Sequence, residues 1–122
     1  RFKNDDSWTA RLRRRLRQAS TQAGETHWPL LEELAAEMGT NPTTLRRRLE
    51  AEGTSYQQLK DRLRSDLAID RLVSSQASID ELALELGFHD ASAFHRAFRR
   101  WTGLPPGAYR RREQGEAERE PR

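Results

Sequence analysis

The sequence predicts an all-α fold of seven helices, arranged as two helix-turn-helix subdomains joined by one long linker helix. Three observations predict it. The chain repeats itself: residues 31 to 39 read LEELAAEMG and residues 79 to 87 read IDELALELG. Each copy leads through a turn at glycine into an arginine-bearing amphipathic stretch, TTLRRRLEAEG (43 to 53) and ASAFHRAFRRWTG (91 to 103). Apolar residues recur at helical spacing along nearly the whole chain. A short helix, a tight turn and a second, basic helix make one helix-turn-helix unit, and here there are two.

The elements follow in order. Ser7 is the expected N-cap of a first helix that carries Trp8, Leu12, Leu16 and Ala19 on one stripe, with Arg11, Arg13, Arg14, Arg15 and Arg17 around it. Residues 21 to 27 read as a loop, with Gly24 closing the first helical region. Pro29 suits the first turn of a second helix, whose Leu31, Leu34, Ala35 and Met38 fall at i, i+3, i+4 and i+7 before Gly39 stops it. Asn41-Pro42 combines an N-cap with proline at the first helical position and starts a third helix, with Leu45 and Leu49 inward and its end near Gly53. Thr54 or Ser55 then caps a long fourth helix on which Tyr56, Leu59, Leu63, Leu67 and Leu72 recur. From Ser55 to Ser74 it would extend roughly 30 Å.

Ser78 and Glu81 form a capping box for a fifth helix with Ile79, Leu82, Ala83 and Leu86 buried and Gly87 at its end. Asp90 caps a sixth, with Phe94, Phe98 and Trp101 inward and Gly103 closing it. Leu104-Pro105-Pro106 opens a short last helix through Tyr109. The tail from Glu113 to Arg122 has no apolar pattern and is expected to be disordered. The predicted organisation is therefore a first subdomain (1–54), a linker helix (55–75), a second subdomain (76–112) and a tail (113–122).

Composition narrows the function. With 122 residues, 34% of them hydrophobic and 34% charged, the chain suits thin-cored helical modules better than an enzyme with a deep pocket. The 22 basic residues are all Arg except Lys3 and Lys60, and 19 acids leave a net charge of only +3, so placement matters more than total charge. The absence of Cys excludes disulfides, thiolate zinc sites and Cys nucleophiles. No stretch approaches the roughly 18 apolar residues of a membrane span, and the start does not read as a signal peptide. A soluble cytoplasmic, nucleoid-associated protein without cofactor or metal is expected, as a fragment of something longer.

In a helix-turn-helix the second helix enters the major groove and its outward residues meet base edges. With Leu45 and Leu49 inward, Thr43, Thr44, Arg46, Arg47 and Arg48 include the outward face of the first unit, and Arg can donate twice to guanine O6 and N7. The alternative is a solvated, salt-bridged helix face, which Glu50 and Glu52 favour. With Phe94 and Phe98 inward, Ala91, Ser92, His95, Arg96 and Arg99 face outward in the second unit. His95 has no partner at metal-ligand spacing. Trp8, Trp28 and Trp101 read as core residues. Asn41, Thr44, Arg48, His89, Arg99 and Arg110 are candidate phosphate contacts, partly through helix N-termini. For Arg110 to Arg112 a solvated helix end is the equal alternative. There is no Ser/His/Asp order, Gly-rich phosphate loop or pair of acids in an apolar setting, so no enzyme is expected.

GFHDASAFHRAFRRWTGLPPGAYR (87 to 110) resembles the signature segment of the AraC/XylS family of bacterial transcription regulators. WPLLEELAAEMGTNPTTLRRRLEAEGTSYQQL (28 to 59) is similar to that family's first helix-turn-helix, and the likeness extends roughly from Trp8 to Arg112. The resemblance implies seven helices in two subdomains joined by a long helix, with both recognition helices in successive major grooves of double-stranded DNA, the first reading bases through Thr43, Arg46 and Arg47 and the second through Ala91, Ser92, His95 and Arg96. It also implies an attached N-terminal effector or dimerisation domain, absent from this chain, with RNA polymerase as a further candidate partner and activation as the mode of control. A linker of roughly 30 Å suits grooves one turn, roughly 34 Å, apart. The rival expectation is a basic helical interaction module that binds an acidic protein partner.

Overall fold

The computed structural model describes residues 7–20 and 28–118. Its helices are α1 (Trp8–Ser20), α2 (Leu31–Glu37), α3 (Pro42–Ala51), α4 (Tyr56–Ser74), α5 (Ile79–Glu85), α6 (Ala91–Thr102) and α7 (Pro106–Glu118). The loop expected at 21 to 27, with Gly24, lies outside the described residues. The chain forms two compact units, Arg1–Leu63 and Arg64–Arg122. The division falls inside α4, so the long helix is not a separate spacer. Leu59 and Leu63 on its early turns pack in the first core, and Ala68 and Leu72 on its later turns pack in the second.

The first core is Leu12, Leu16, Leu34, Ala35, Leu45, Leu49 and Leu59, flanked by partly buried Trp8, Trp28, Leu31, Met38, Tyr56 and Leu63. The second is Ala68, Leu72, Leu82, Ala83, Leu86, Phe94 and Phe98, flanked by Phe88, Trp101 and Tyr109 among others. Each buried Leu or Phe contributes roughly 1.5–3 kcal/mol of transfer free energy. Aromatic contacts bind the second core further: ring centroids are 5.3 Å apart for Phe88–Phe94 and 5.3 Å for Phe98–Tyr109.

Helix ends follow local chemistry. Ser7 Oγ accepts from Ala10 N–H at 2.9 Å, and Ser55 Oγ accepts from Gln58 N–H at 3.1 Å, so Ser55 rather than Thr54 caps α4. The Ser78–Glu81 capping box is reciprocal, at 3.0 and 2.8 Å. α1 has a second N-terminal acceptor that the sequence pattern does not reveal: the Glu52 carboxylate, just beyond α3, takes the Trp8 and Thr9 N–H groups at 3.1 and 2.8 Å. Burial opposes ionisation of Glu52, but hydrogen bonds from Thr9 and Trp8 outweigh it and hold the carboxyl below its ordinary range.

Two helix boundaries differ from expectation. α2 begins at Leu31, so Pro29 precedes the helix instead of sitting in its first turn. Pro29 is buried and its carbonyl accepts the Tyr56 hydroxyl, which holds it against the first core, while Leu30 N–H donates to Glu33 Oε1 at 2.9 Å. α7 continues to Glu118, so residues 113 to 118, expected to be disordered, are helical. An absent apolar pattern removes burial but not propensity: Glu, Gln and Ala, despite Gly115, extend a helix already nucleated at Pro106. Arg112 supports it by lying over Tyr109 at 5.1 Å and pairing with Glu113 at 3.2 Å.

The repeat is deeper in three dimensions than in sequence. Arg15 of α1 grips Glu37 at the end of α2 with two bonds, 2.6 and 3.1 Å. Arg71 of α4 grips Glu85 at the end of α5 with two bonds, 3.1 and 2.9 Å. Each unit therefore consists of a leading helix, a helix fastened to it by the same bidentate ion pair, and a basic third helix. The turns between second and third helices match too. Gly39 (φ 75°) and Gly87 (φ 85°) occupy the left-handed region that only glycine enters without strain. The next residue returns to the helix in both: Thr40 N–H to Ala35 O at 2.8 Å, and Phe88 N–H to Ala83 O at 2.9 Å.

Candidate nucleic-acid interface

The third helix of each unit starts from a side-chain cap. Asn41 Oδ1 accepts from Thr44 N–H at 2.8 Å, and Asp90 Oδ1 accepts from Ala93 N–H at 2.8 Å. That bond from Ala93, followed by the neighbouring His89, holds the Asp90 carboxyl below its ordinary range. Aligning the caps fixes the correspondence of the two helices at 49 residues, one more than separates the glycines, because residues 86 to 90 fill the second turn where 38 to 41 fill the first. The inward anchors then coincide: Leu45 with Phe94 and Leu49 with Phe98, all at most 1% exposed.

The opposite faces coincide as well. Thr43, Arg46, Arg47 and Glu50 lie at i, i+3, i+4 and i+7 on α3, and Ser92, His95, Arg96 and Arg99 occupy the equivalent places on α6. All eight are exposed. None makes a side-chain hydrogen bond or ion pair among the described residues. Several arginines off these stripes are engaged: Arg15 on Glu37, Arg71 on Glu85, and Arg11 and Arg48 over the Trp8 ring at 4.7 and 4.9 Å. Two rows of polar side chains without hydrogen bonds or ion pairs among the described residues, backed by an apolar core, can meet donors and acceptors outside the protein.

Each expected site residue has its place in this frame. Thr43, Arg46 and Arg47 share one face of α3, and Ser92, His95 and Arg96 share one face of α6. Ala91 does not join them: it corresponds to Pro42 and is half-buried against the second core, so its methyl is turned inward. Arg99 lies on the outward stripe. His89 is exposed beside Asp90, with 3.5 Å between Nδ1 and Oδ2. Asn41 remains exposed, whereas Thr44 is half-buried and its N–H serves the Asn41 cap in place of a phosphate.

Two expected phosphate contacts have partners within the chain, Arg48 while remaining exposed. Arg48 turns toward α1 and stacks on Trp8. Arg110 Nε donates to Leu72 O at 3.0 Å and Nη2 to Ser75 O at 3.3 Å, capping the end of α4. The physical cause is electrostatic: terminal carbonyls carry the negative end of the helix dipole and need a donor. Sequence reasoning also missed the place of Glu50 on the α3 stripe, and the half-buried Arg64, whose guanidinium lies over Phe88 at 4.1 Å. Helical spacing would have located Glu50, which falls three and four residues after Arg47 and Arg46. Among the described residues no group of His, Asp or Glu is placed to hold a metal ion, and no helix is long and apolar enough to cross a membrane.

Comparison with known proteins agrees with this geometry. A family model for a helix-turn-helix domain matches residues 34–112. The chain is 48% identical over 83 residues to the ornithine utilization regulator of Pseudomonas aeruginosa, covering 68% of this chain and 24% of that protein. It is 39% identical over 85 residues to an uncharacterized helix-turn-helix-type transcriptional regulator of Mycobacterium tuberculosis, covering 70% of this chain and 25% of that protein. It thus spans about a quarter of the length of these curated relatives. Among solved structures, the DNA-binding domain of AdpA in complex with a target DNA superposes with a TM-score of 0.76 at 27% identity, covering 94% of this chain and 99% of that one. A DNA-binding transcriptional dual regulator from Escherichia coli K-12 gives 0.79 at 25% identity, with coverage of 94% and 99%. The repeated units, the matched family model and these relatives agree: the chain belongs to the AraC family of helix-turn-helix transcription regulators.

Proposed function

We propose that the chain binds double-stranded DNA by laying α3 and α6 in major grooves, and that it thereby activates transcription as part of a longer regulator. The observation that carries the reading is the pair of equivalent, exposed stripes without side-chain hydrogen bonds or ion pairs among the described residues, each opposite a fully buried anchor row. Arg46, Arg47 and Arg96 present guanidinium forks suited to guanine O6 and N7, while Thr43, Ser92 and His95 offer shorter polar contacts. Arg99, at the far end of the α6 stripe, suits a phosphate. Binding in successive grooves, a sensor or dimerisation domain elsewhere in the protein, and contact with RNA polymerase belong to the same proposal. They are supported by the family and by the length of the relatives.

The test is equilibrium binding of a labelled duplex, taken from selection on a randomised library and measured across salt concentrations. The expected result is log affinity falling linearly with log salt, with the selected duplex outcompeting random duplex by roughly 1,000-fold or more. Equal competition by random duplex, or stronger capture by an acidic polypeptide, would replace this reading with an interaction module. A reporter carrying the selected site should rise in transcript level with the full-length protein. A fall would retain DNA binding and reverse the sign of control.

A further inference from the structure

We infer that Glu50 is a specificity-determining residue of the α3 reading face, acting against mis-seated DNA. The inference rests on the proposal that α3 reads DNA. Glu50 belongs to the same row as Thr43, Arg46 and Arg47, one turn beyond the two arginines. It is exposed and makes no side-chain hydrogen bond or ion pair among the described residues. Its neighbour Glu52 is different: that carboxylate is committed to the N-terminus of α1. The two acids that suggest a salt-bridged surface in the sequence therefore have separate uses, and Glu50 forms no ion pair with an arginine among the described residues.

The chain supplies its own control. The equivalent position on α6 is Arg99, also exposed and without an ion-pair partner among the described residues. One stripe ends in a cation and the other in an anion. A cation there attracts any phosphate and adds affinity for every sequence. An anion repels phosphate, and inside a groove it is satisfied only by a donor on a base edge, the amino group of cytosine N4 or adenine N6. The carboxylate therefore penalises complexes in which α3 lies against backbone or over the wrong base, and leaves the correct complex untouched. Discrimination by an added repulsion is a general route to specificity. The arrangement gives α6 the larger share of general affinity and α3 the larger share of selectivity.

The experiment compares wild type, Glu50→Gln and Arg99→Gln on the selected duplex and on random duplex. Glu50→Gln keeps size and shape at an exposed position, so folding is expected to persist, and a melting curve checks this. For Glu50→Gln the expected outcome is tighter binding to random duplex and a fall of roughly 5-fold or more in the ratio of selected to random affinity. One position of the re-selected site should also change its base preference, since glutamine donates as well as accepts. Arg99→Gln should weaken both duplexes by similar factors and leave the ratio in place. An unchanged ratio for Glu50→Gln overturns the inference while leaving DNA recognition by α3 intact. A wild type that fails to distinguish the two duplexes overturns the proposed function itself.

Discussion

In the proposed complex, the Arg47 guanidinium would separate reading from mere attraction. It is exposed, without an ion-pair partner among the described residues, and it shares the outward row of α3 with Thr43 and Arg46. Arg47→Ala should weaken binding to the selected site by about 1–3 kcal/mol and relax base preference in one half only. Arg96→Ala should do the same in the other half. Site selection with each variant checks this, and changes at the same base pairs would defeat the idea that two helices read separately. Arg110 makes the opposite case. Because it donates to Leu72 O and Ser75 O, Arg110→Ala should lower the melting temperature and leave the salt slope unchanged, whereas Arg99→Ala should reduce that slope by about one. The caps add a pH dependence. Glu52 and Asp90 ionise more readily in the fold than their ordinary values, so each contributes stability that is present above the unfolded pKa and lost as pH falls through the folded one. Thermal stability should therefore be level near neutrality and fall below about pH 4, with a shallower fall for Glu52→Gln.

At the scale of elements, the third helices are held by what lies behind them. Phe94 and Phe98 are fully buried, and Phe98 stacks edge-on against Tyr109 of α7. Phe98→Ala should cost about 3–5 kcal/mol, and the loss should appear as melting of the second unit. Near-ultraviolet circular dichroism of the aromatic cluster would follow it. The long helix α4 gives a different test, because its two ends serve different cores. Inserting four residues between Leu63 and Arg64, where the units divide, adds roughly 6 Å and about 40° of rotation. Specific binding should be lost while helical circular dichroism persists. Retained affinity for the unaltered site would mean that one unit suffices.

For the whole molecule the net charge of +3 and the sequence pI of about 9.9 are less informative than where the charge stands. The α3 row combines two arginines with an acid, and the α6 row has His95 and two arginines behind Ser92. Bidentate arginine discriminates bases, whereas a serine hydroxyl adds a single weak contact. The half-site under α3 should therefore hold the sharper, guanine-bearing part of the selected sequence. The half under α6 should be more degenerate and depend more on phosphate contacts and DNA deformability. A selected-site profile with its stronger half under α6 would reverse this order.

Much of this protein is determined by local chemistry and is legible in one dimension. Apolar spacing, the caps at Ser7, Asn41, Ser78 and Asp90, and the glycines after α2 and α5 specify helices, turns and inward faces from interactions only three to five residues long. The outward rows Thr43–Arg46–Arg47 and Ser92–His95–Arg96 follow, since burying one face of a helix fixes the other. What tertiary structure alone decides is the use of each exposed charge. Arg15, Arg48, Arg71 and Arg110 look much like Arg46 and Arg96 in sequence, yet a carboxylate, an indole or a helix terminus from 14 to 40 residues away engages them. The same holds for Glu52 against Glu50, and for Ala91, which packs against a core that draws on α4 and α5. Long-range partners leave no periodic trace in the chain, so which charges remain available to DNA is settled only when the helices pack.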